Sequence, residues 1–191
     1  MRKQVQFSSI CLLVLLSSIA LACTILMVEA KPCTPSGKIR GKQAPRDQCD
    51  PHTDDCCQAN RVYKTFECSP PVSKHTKAIL TINDFQKGGD GGGTSACDNK
   101  FHSNNTPVVA LSTGWFNGLK RCHKYITIFG NGRSVRAMVV DECDSTKGCD
   151  SDHGFQPPCQ NNIVDASEAV WKALKVPKKD WGSMEVFWAD D

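Results

Sequence analysis

The longest apolar run in the chain extends from Ile10 to Val28, with Arg2 and Lys3 before it and no charge until Glu29. Val28-Glu29-Ala30 places small residues where a signal peptidase reads them, so residues 1–30 read as a signal peptide and Lys31 as the mature start. Beyond it the pattern is that of strands. Residues 77–85 (KAILTINDF) predict one strand, and residues 106–116 (TPVVALSTGWF) a second that turns at Thr113-Gly114. Residues 125–129 and 134–140 are β-branched or aromatic, and Asn131-Gly132 between them is the pair that best supplies the positive φ angles of a tight hairpin. A helix is predicted from Asp165, where Asp165-Ala166-Ser167-Glu168 fits a capping box. Ala166, Ala169, Val170, Ala173 and Leu174 follow at the spacing of one buried face, and Pro177 ends it. Residues 181–188 close the chain as a strand with Met184, Val186 and Trp188 on one face. Several short strands and one clear helix predict a small closed β architecture, which leaves no exposed edges.

Residues 31–68 break this pattern. They are rich in Pro, Gly, Lys and Asp and have almost no apolar periodicity, so disulfides must hold them together. Ser69-Pro70-Pro71 opens a stiff hinge over residues 69–76, and a barrel domain is expected over 77–191. Of the 12 cysteines, Cys11 and Cys23 leave with the signal peptide. Cys33, Cys49, Cys56, Cys57, Cys68, Cys97, Cys122, Cys143, Cys149 and Cys159 remain, an even set that implies disulfides in an oxidising compartment. Half of them precede Ser69 and half follow it, so full pairing demands at least one bridge between the two groups. Which cysteines pair is left open, as is whether the first module is a binding surface or a stapled cap on the barrel.

Charge excludes more than it identifies. Removing Arg2, Lys3 and Glu29 from 23 basic and 20 acidic residues leaves 21 and 19, a balance of +2 with no basic stripe along the chain. No nucleic-acid partner is expected. Gly88-Gly89-Asp90-Gly91-Gly92-Gly93 lacks the Lys-Ser/Thr of a phosphate loop and reads as room for a close backbone approach. His52, His75, His102, His123 and His153 are scattered singly, without the helical pair of a zinc site. An EF-hand starting at Asp144 fails at its third and fifth positions, Thr146 and Gly148. Neither metal nor cofactor is expected. With the cysteines committed and no Gly-x-Ser-x-Gly elbow, covalent catalysis is excluded. Asn104 heads the one glycosylation sequon of the mature chain, with Pro107 counting against its use. Trp115 reads as core, the alternative being a sugar-stacking ring. Paired carboxylates are the remaining chemistry: Asp141 at a strand end and Asp165 across a groove would suit glycoside hydrolysis. Their plainer readings are a hydrogen-bonded loop anchor and a helix N-cap.

ALSTGWF at 110–116, Cys122 and VVDEC at 139–143 resemble the core of the barwin and expansin-like superfamily, whose fold is a six-stranded double-psi β-barrel. More closely, KPCTPSGKIRGK at 31–42, GGDGGG at 88–93, PVVALSTGWF at 107–116, GNGRSVRAMVVDECDSTKGCD at 130–150 and NNIVDASEAVWKALKVP at 161–177 resemble the plant kiwellins, or ripening-related proteins. The resemblance implies a mainly β double-psi barrel with one or two short helices and a disulfide-rich N-terminal module. In related glycosidases and expansins a groove Asp sits in a His-Phe-Asp motif. Asp165 takes the matching place behind Ile163 and Val164, without the polar neighbours that tune a proton donor. Asp141 matches the other groove acid. Both are read as vestigial, and no enzymatic activity is expected.

Kiwellins are secreted defence proteins, and members bind and block secreted microbial enzymes such as chorismate mutase effectors. The resemblance therefore implies a secreted, apoplastic, monomeric protein-binding module with no membrane association once the signal is cleaved. Its alternatives are a cell-wall polysaccharide binder stacking sugars on Trp115 or Trp181, and a bioactive peptide released from residues 31–68. The loops at 86–106 and 144–160 are the expected contact surface, being long, polar and held by Cys97, Cys149 and Cys159. Asp90, Asp144, Asp150, Asp152 and His153 are their candidate binding residues.

Overall fold

Asn131 and Gly132 both adopt positive φ, at 49° and 67°. They join β5 (Tyr125–Gly130) to β6 (Arg133–Cys143) in the tight hairpin that the Asn-Gly pair predicts. Registers Tyr125↔Met138 and Phe129↔Ser134 fix which side chains point inward. Ile126, Ile128, Ala137 and Val139 are fully buried, while Thr127 and Arg136 face outward in the alternation of a half-covered strand. The computed structural model describes residues 32–45, 48–49, 56–89 and 92–191. The signal-peptide reading of residues 1–30, together with His52 and Asp90, lies outside the described residues.

Four further strands close the sheet: β3 (Thr76–Ile82), β4 (Val108–Ser112), β7 (Ile163–Ala166) and β8 (Ser183–Asp190). They form a closed barrel in the order β3-β7-β4-β6-β5-β8, with β8 pairing back onto β3. β3/β7 and β4/β6 are parallel and the other pairs antiparallel, the arrangement of a six-stranded double-psi β-barrel. Its interior holds Leu80, Val109, Leu111, Val164 and Val186 together with Trp115, Trp171 and Trp188. Phe85, Val108, Ala110 and Val140 make a smaller cluster on the other face of β4 and β6. A register shift between Val109 and Ala110 leaves Val140 unpaired, so that Ala110 lies opposite Asp141.

Two short helices complete the barrel: α1 (Thr113–Phe116) follows β4 and α2 (Glu168–Ala173) follows β7. Here the structure corrects the capping-box reading. Asp165 lies within β7, paired to Thr81 on β3 and Ala110 on β4, and the N-cap is Ser167. Ser167 Oγ accepts from the Val108 amide (3.2 Å) and donates to the Thr106 carbonyl (2.8 Å), so it ties the helix start to the strand beside it. The local signature is real, but strand pairing on both sides overrides it. Trp171, Val170 and Leu174 form the buried face of α2, whereas Ala173 is exposed.

The N-terminal module contains a two-stranded antiparallel sheet, β1 (Gly37–Arg40) and β2 (Val62–Thr65). Bridges Cys33–Cys68 and Cys49–Cys56 lie within it, and Cys97–Cys122 and Cys143–Cys159 within the barrel. Cys57–Cys149 joins the two, satisfying the parity requirement. The Cys57 amide donates to the Phe155 carbonyl and the Phe66 amide to the Ser145 carbonyl, each at 2.8 Å. At Gly114 an added Cβ would lie 2.1 Å from the Ser69 nitrogen, so only glycine lets α1 approach the connector this closely. Residues 33–191 form one compact unit.

Candidate functional site

Strand register places the two groove acids in one row, Thr81, Asp165, Ala110 and Asp141, running across β3, β7, β4 and β6. The carboxylates flank the small Ala110, with their backbones two strand spacings apart, roughly 10 Å. Asp141 is extensively tied. Its Oδ1 accepts from the amides of Ala96 and Glu142, both at 2.8 Å, and the carboxylate also takes the Ser95 hydroxyl. Burial pushes the Asp141 carboxyl above its usual value, working against those donors, which favour the anion. Asp165 accepts from the Thr81 hydroxyl. Glu142 accepts from Thr113 Oγ1 (2.6 Å), which in turn accepts from the Ser145 amide (2.8 Å). Asp141 thus fastens the 92–106 loop to β6, and Glu142 ties β6 to α1 and the next loop.

The 92–106 loop is pinned at further points. Cys97 is bonded to Cys122, and its amide donates to the Val140 carbonyl (3.1 Å). Asp98 bridges two imidazoles, 3.3 Å from His102 Nε2 and 3.5 Å from His123 Nε2. Burial works against the Asp98 anion, but the Lys100 amide and the two histidines outweigh it and hold the carboxyl below its ordinary value. Sequence reading missed this bridge. His102 and His123 belong to separate segments that meet through the Cys97–Cys122 bond and through the Cys97 and His123 amides, which donate to Val140 and Val139 on β6, and Asp98 carries no motif. Asn104 is buried. It accepts from the Phe85 amide (3.1 Å), and its Nδ2 donates to Asp84 (2.7 Å). The sequon asparagine is therefore a structural tie with its amide already engaged.

In the 144–160 loop the structure brings together three of the four candidates. Asp150 lies 2.6 Å from His153 Nδ1, and Asp144 lies 3.6 Å from His153 Nε2. Asp144 Oδ1 also accepts from Thr146 Oγ1 (2.6 Å) and from the amides of Thr146 (2.7 Å) and Lys147 (3.1 Å). The hydrogen bond from His153 is the main reason the Asp150 carboxyl lies below its usual value. Burial opposes the same lowering at Asp144, where the Thr146 and Lys147 donors and His153 prevail. Asp152 is exposed, and it is its backbone amide rather than its carboxylate that reaches Asp150. Among the described residues no group of three or more His, Cys, Asp or Glu side chains is arranged to hold a metal ion.

The aromatic candidates separate cleanly. Trp115 is 1% exposed, donates its indole N–H to the Pro70 carbonyl (2.8 Å) and meets Trp188 edge-on with centroids 5.1 Å apart. It is core, which removes it as a sugar-stacking ring. Trp181 is half-buried and donates to the Val176 carbonyl (2.9 Å).

Fold and staples together define a disulfide-laced double-psi β-barrel protein. The Kiwellin-1 family model matches residues 15–191. The chain belongs to the kiwellin family. It is 52% identical over 158 residues to putative ripening-related protein 2 of Oryza sativa subsp. japonica, covering 83% of this chain and 79% of that protein. To the kiwellin of Actinidia chinensis var. chinensis it is 54% identical over 160 residues, covering 82% of this chain and 66% of the other. Among solved structures, the apo expansin of Clavibacter michiganensis is 19% identical with a TM-score of 0.46, over 61% of this chain and 50% of that one.

Proposed function

We propose that this chain is a secreted, non-enzymatic recognition protein that binds and inhibits a secreted microbial enzyme, with a chorismate mutase-type effector as the expected target. The observation that carries this reading is the covalent pinning of the 144–160 loop. Cys143–Cys159 closes its base, Cys57–Cys149 holds its middle, and the Cys149 amide donates to the Gln156 carbonyl across it (2.7 Å). A surface fixed in this way loses little conformational entropy on binding, so its polar groups contribute directly to affinity. For Asp141 a holding role is favoured over a catalytic one, because its Oδ1 already accepts from two loop and strand amides.

The oxidised mature protein, mixed with a purified secreted chorismate mutase from a plant-pathogenic fungus, should co-elute with it in gel filtration and lower its turnover. Asp150→Ala with His153→Ala should weaken that complex by more than the accompanying small loss of loop stability explains. Failure to bind, or binding indifferent to these substitutions and to equivalents at Asp98 and His102, refutes the loop reading. The second reading is polysaccharide binding in the groove beside Ala110, favoured by the Asp165-Ala110-Asp141 row. Co-sedimentation with cellulose or xylan, lost in Trp181→Ala, would support it in place of the first.

A further inference from the structure

Linear sequence shows no basic stripe, yet strand pairing in the N-terminal module builds one. The register of β1 and β2 sets Lys38 directly opposite Lys64 and Arg40 opposite Val62. Those four side chains share one exposed face, while Ile39, Tyr63 and Thr65 occupy the other, more buried one. Along β1, Lys38 and Arg40 stand about 7 Å apart; across to β2, Lys38 and Lys64 stand about 5 Å apart. Lys42, also exposed, extends the patch at one end, whereas the Arg61 guanidinium turns to the other face and lies over the Tyr63 ring. Like charges directly opposite on paired strands destabilise the ladder, so this arrangement has a cost that the fold itself does not require. On the barrel four of the cations find carboxylates: Lys77 with Glu185, Arg121 with Asp190, Arg136 with Asp191 and Lys172 with Glu168. None of the module cations forms an ion pair with an acid among the described residues.

We infer that this face of the module is a docking surface for a linear polycarboxylate polysaccharide, a polyuronate, separate from the loops proposed for protein recognition. Charge complementarity selects a polyanion, and the details of the face select its class. Val62, 50% exposed, sits among the cations and offers methyl groups to the C–H face of a sugar ring. The one aromatic ring of the sheet, Tyr63, lies on the opposite face, so the base-stacking platform of a single-stranded nucleic-acid site is missing among the described residues. Among the described residues Val62 is likewise the only apolar side chain on the face, too little to enter a lipid interface, where Trp, Phe or Leu accompany the basic residues. Edge-strand lysines also discourage sheet-to-sheet association. That role alone predicts no affinity for a polyanion.

The test is retention of the oxidised full-length mature protein on immobilised polygalacturonate at low ionic strength. Wild-type protein binds and is eluted by salt, because exposed charge contacts are screened. Lys38→Gln/Arg40→Gln/Lys64→Gln binds about tenfold more weakly or worse, with its thermal midpoint unchanged or raised as the like-charge pair is removed. Should that triple variant not fold, Lys38→Gln/Lys64→Gln gives the same readout with a smaller loss. Absence of wild-type binding overturns the proposal. So do equal binding by the variants, or tighter binding to duplex DNA or phosphatidylserine vesicles than to polygalacturonate in the same buffer.

Discussion

Replacing Cys57 and Cys149 together by alanine removes the one bridge between the N-terminal module and the barrel. The two cysteines are 92 residues apart, and Cys97–Cys122 already short-circuits 25 of those, leaving 67. The loop-closure entropy of a segment of that length corresponds to about 4.4 kcal/mol at 25 °C. Both cysteines are buried, at 4% and 3% exposure, so loss of their sulfur atoms adds to the cost. For a chain of this size the loss lowers the thermal midpoint by roughly 10 °C or more. An internal reference is available in Cys49–Cys56, which spans 7 residues. The same relation gives about 2.4 kcal/mol for that short loop, roughly 2 kcal/mol less than for the long one. Guanidinium unfolding followed by tryptophan fluorescence measures both, since Trp115, Trp171 and Trp188 are buried in the barrel. If Cys49→Ala/Cys56→Ala proves the more costly pair, restriction of the unfolded chain is not what the long bridge contributes, and the reasoning fails.

Further outcomes can be checked more briefly. Asp141→Ala strips the acceptor from the Ala96 and Glu142 amides and should cost about 2–3 kcal/mol, whereas Asp141→Asn, which keeps an oxygen there, should cost about 1 kcal/mol. Wild-type hydrolysis of cellulose or xylan that vanished in a folded Asp141→Asn protein would show that the carboxylate is catalytic after all. Asn104→Gln should destabilise by about 1–3 kcal/mol, and intact mass should show no glycan, because the amide is bonded to Phe85 and Asp84. Asp144 and Asp150 have depressed pKa values, so their contribution is present above the unfolded value near 3.8 and is lost as pH falls through the lower folded values. Amide protection in the 144–160 loop, corrected for intrinsic exchange, should therefore fall below about pH 4 in wild type, with that step missing in Asp144→Asn/Asp150→Asn. Asp141, whose pKa is raised, runs the other way: its contribution is present below the unfolded value and is lost as pH rises through the folded one.

What the chain reveals by reading depends on how far a signal reaches. Asn131-Gly132 announces its hairpin because two φ angles decide it, and cysteine parity announces a cross-bridge because counting needs no geometry. The Asp165 capping box misleads because it is local, while β3 and β4 claim the same residue from opposite sides. The sequon at Asn104 is likewise a local string; Asp84 and Phe85, which occupy its amide, arrive about twenty residues earlier in the chain. Of the candidate site, Asp144, Asp150 and His153 could be chosen as one charged loop, but the Asp98 bridge and the Lys38–Lys64 pairing exist only once distant segments meet. Trp115 reads as core from the chain because large aromatic rings are mostly buried, and the carbonyl of Pro70 and the edge of Trp188 place it there.

Cys149 lies inside the ring that Cys143–Cys159 closes, and it is also the residue to which Cys57 is bonded. A protease that cuts the connector over residues 69–76 therefore produces two chains that still travel as one molecule, heavier by a single water. Liberation of a peptide from residues 31–68 becomes a two-key event, requiring hydrolysis of the backbone and reduction of one buried disulfide. In the oxidising surroundings that five disulfides call for, the second key is scarce, so extracts handled without reductant should carry the nicked form whole.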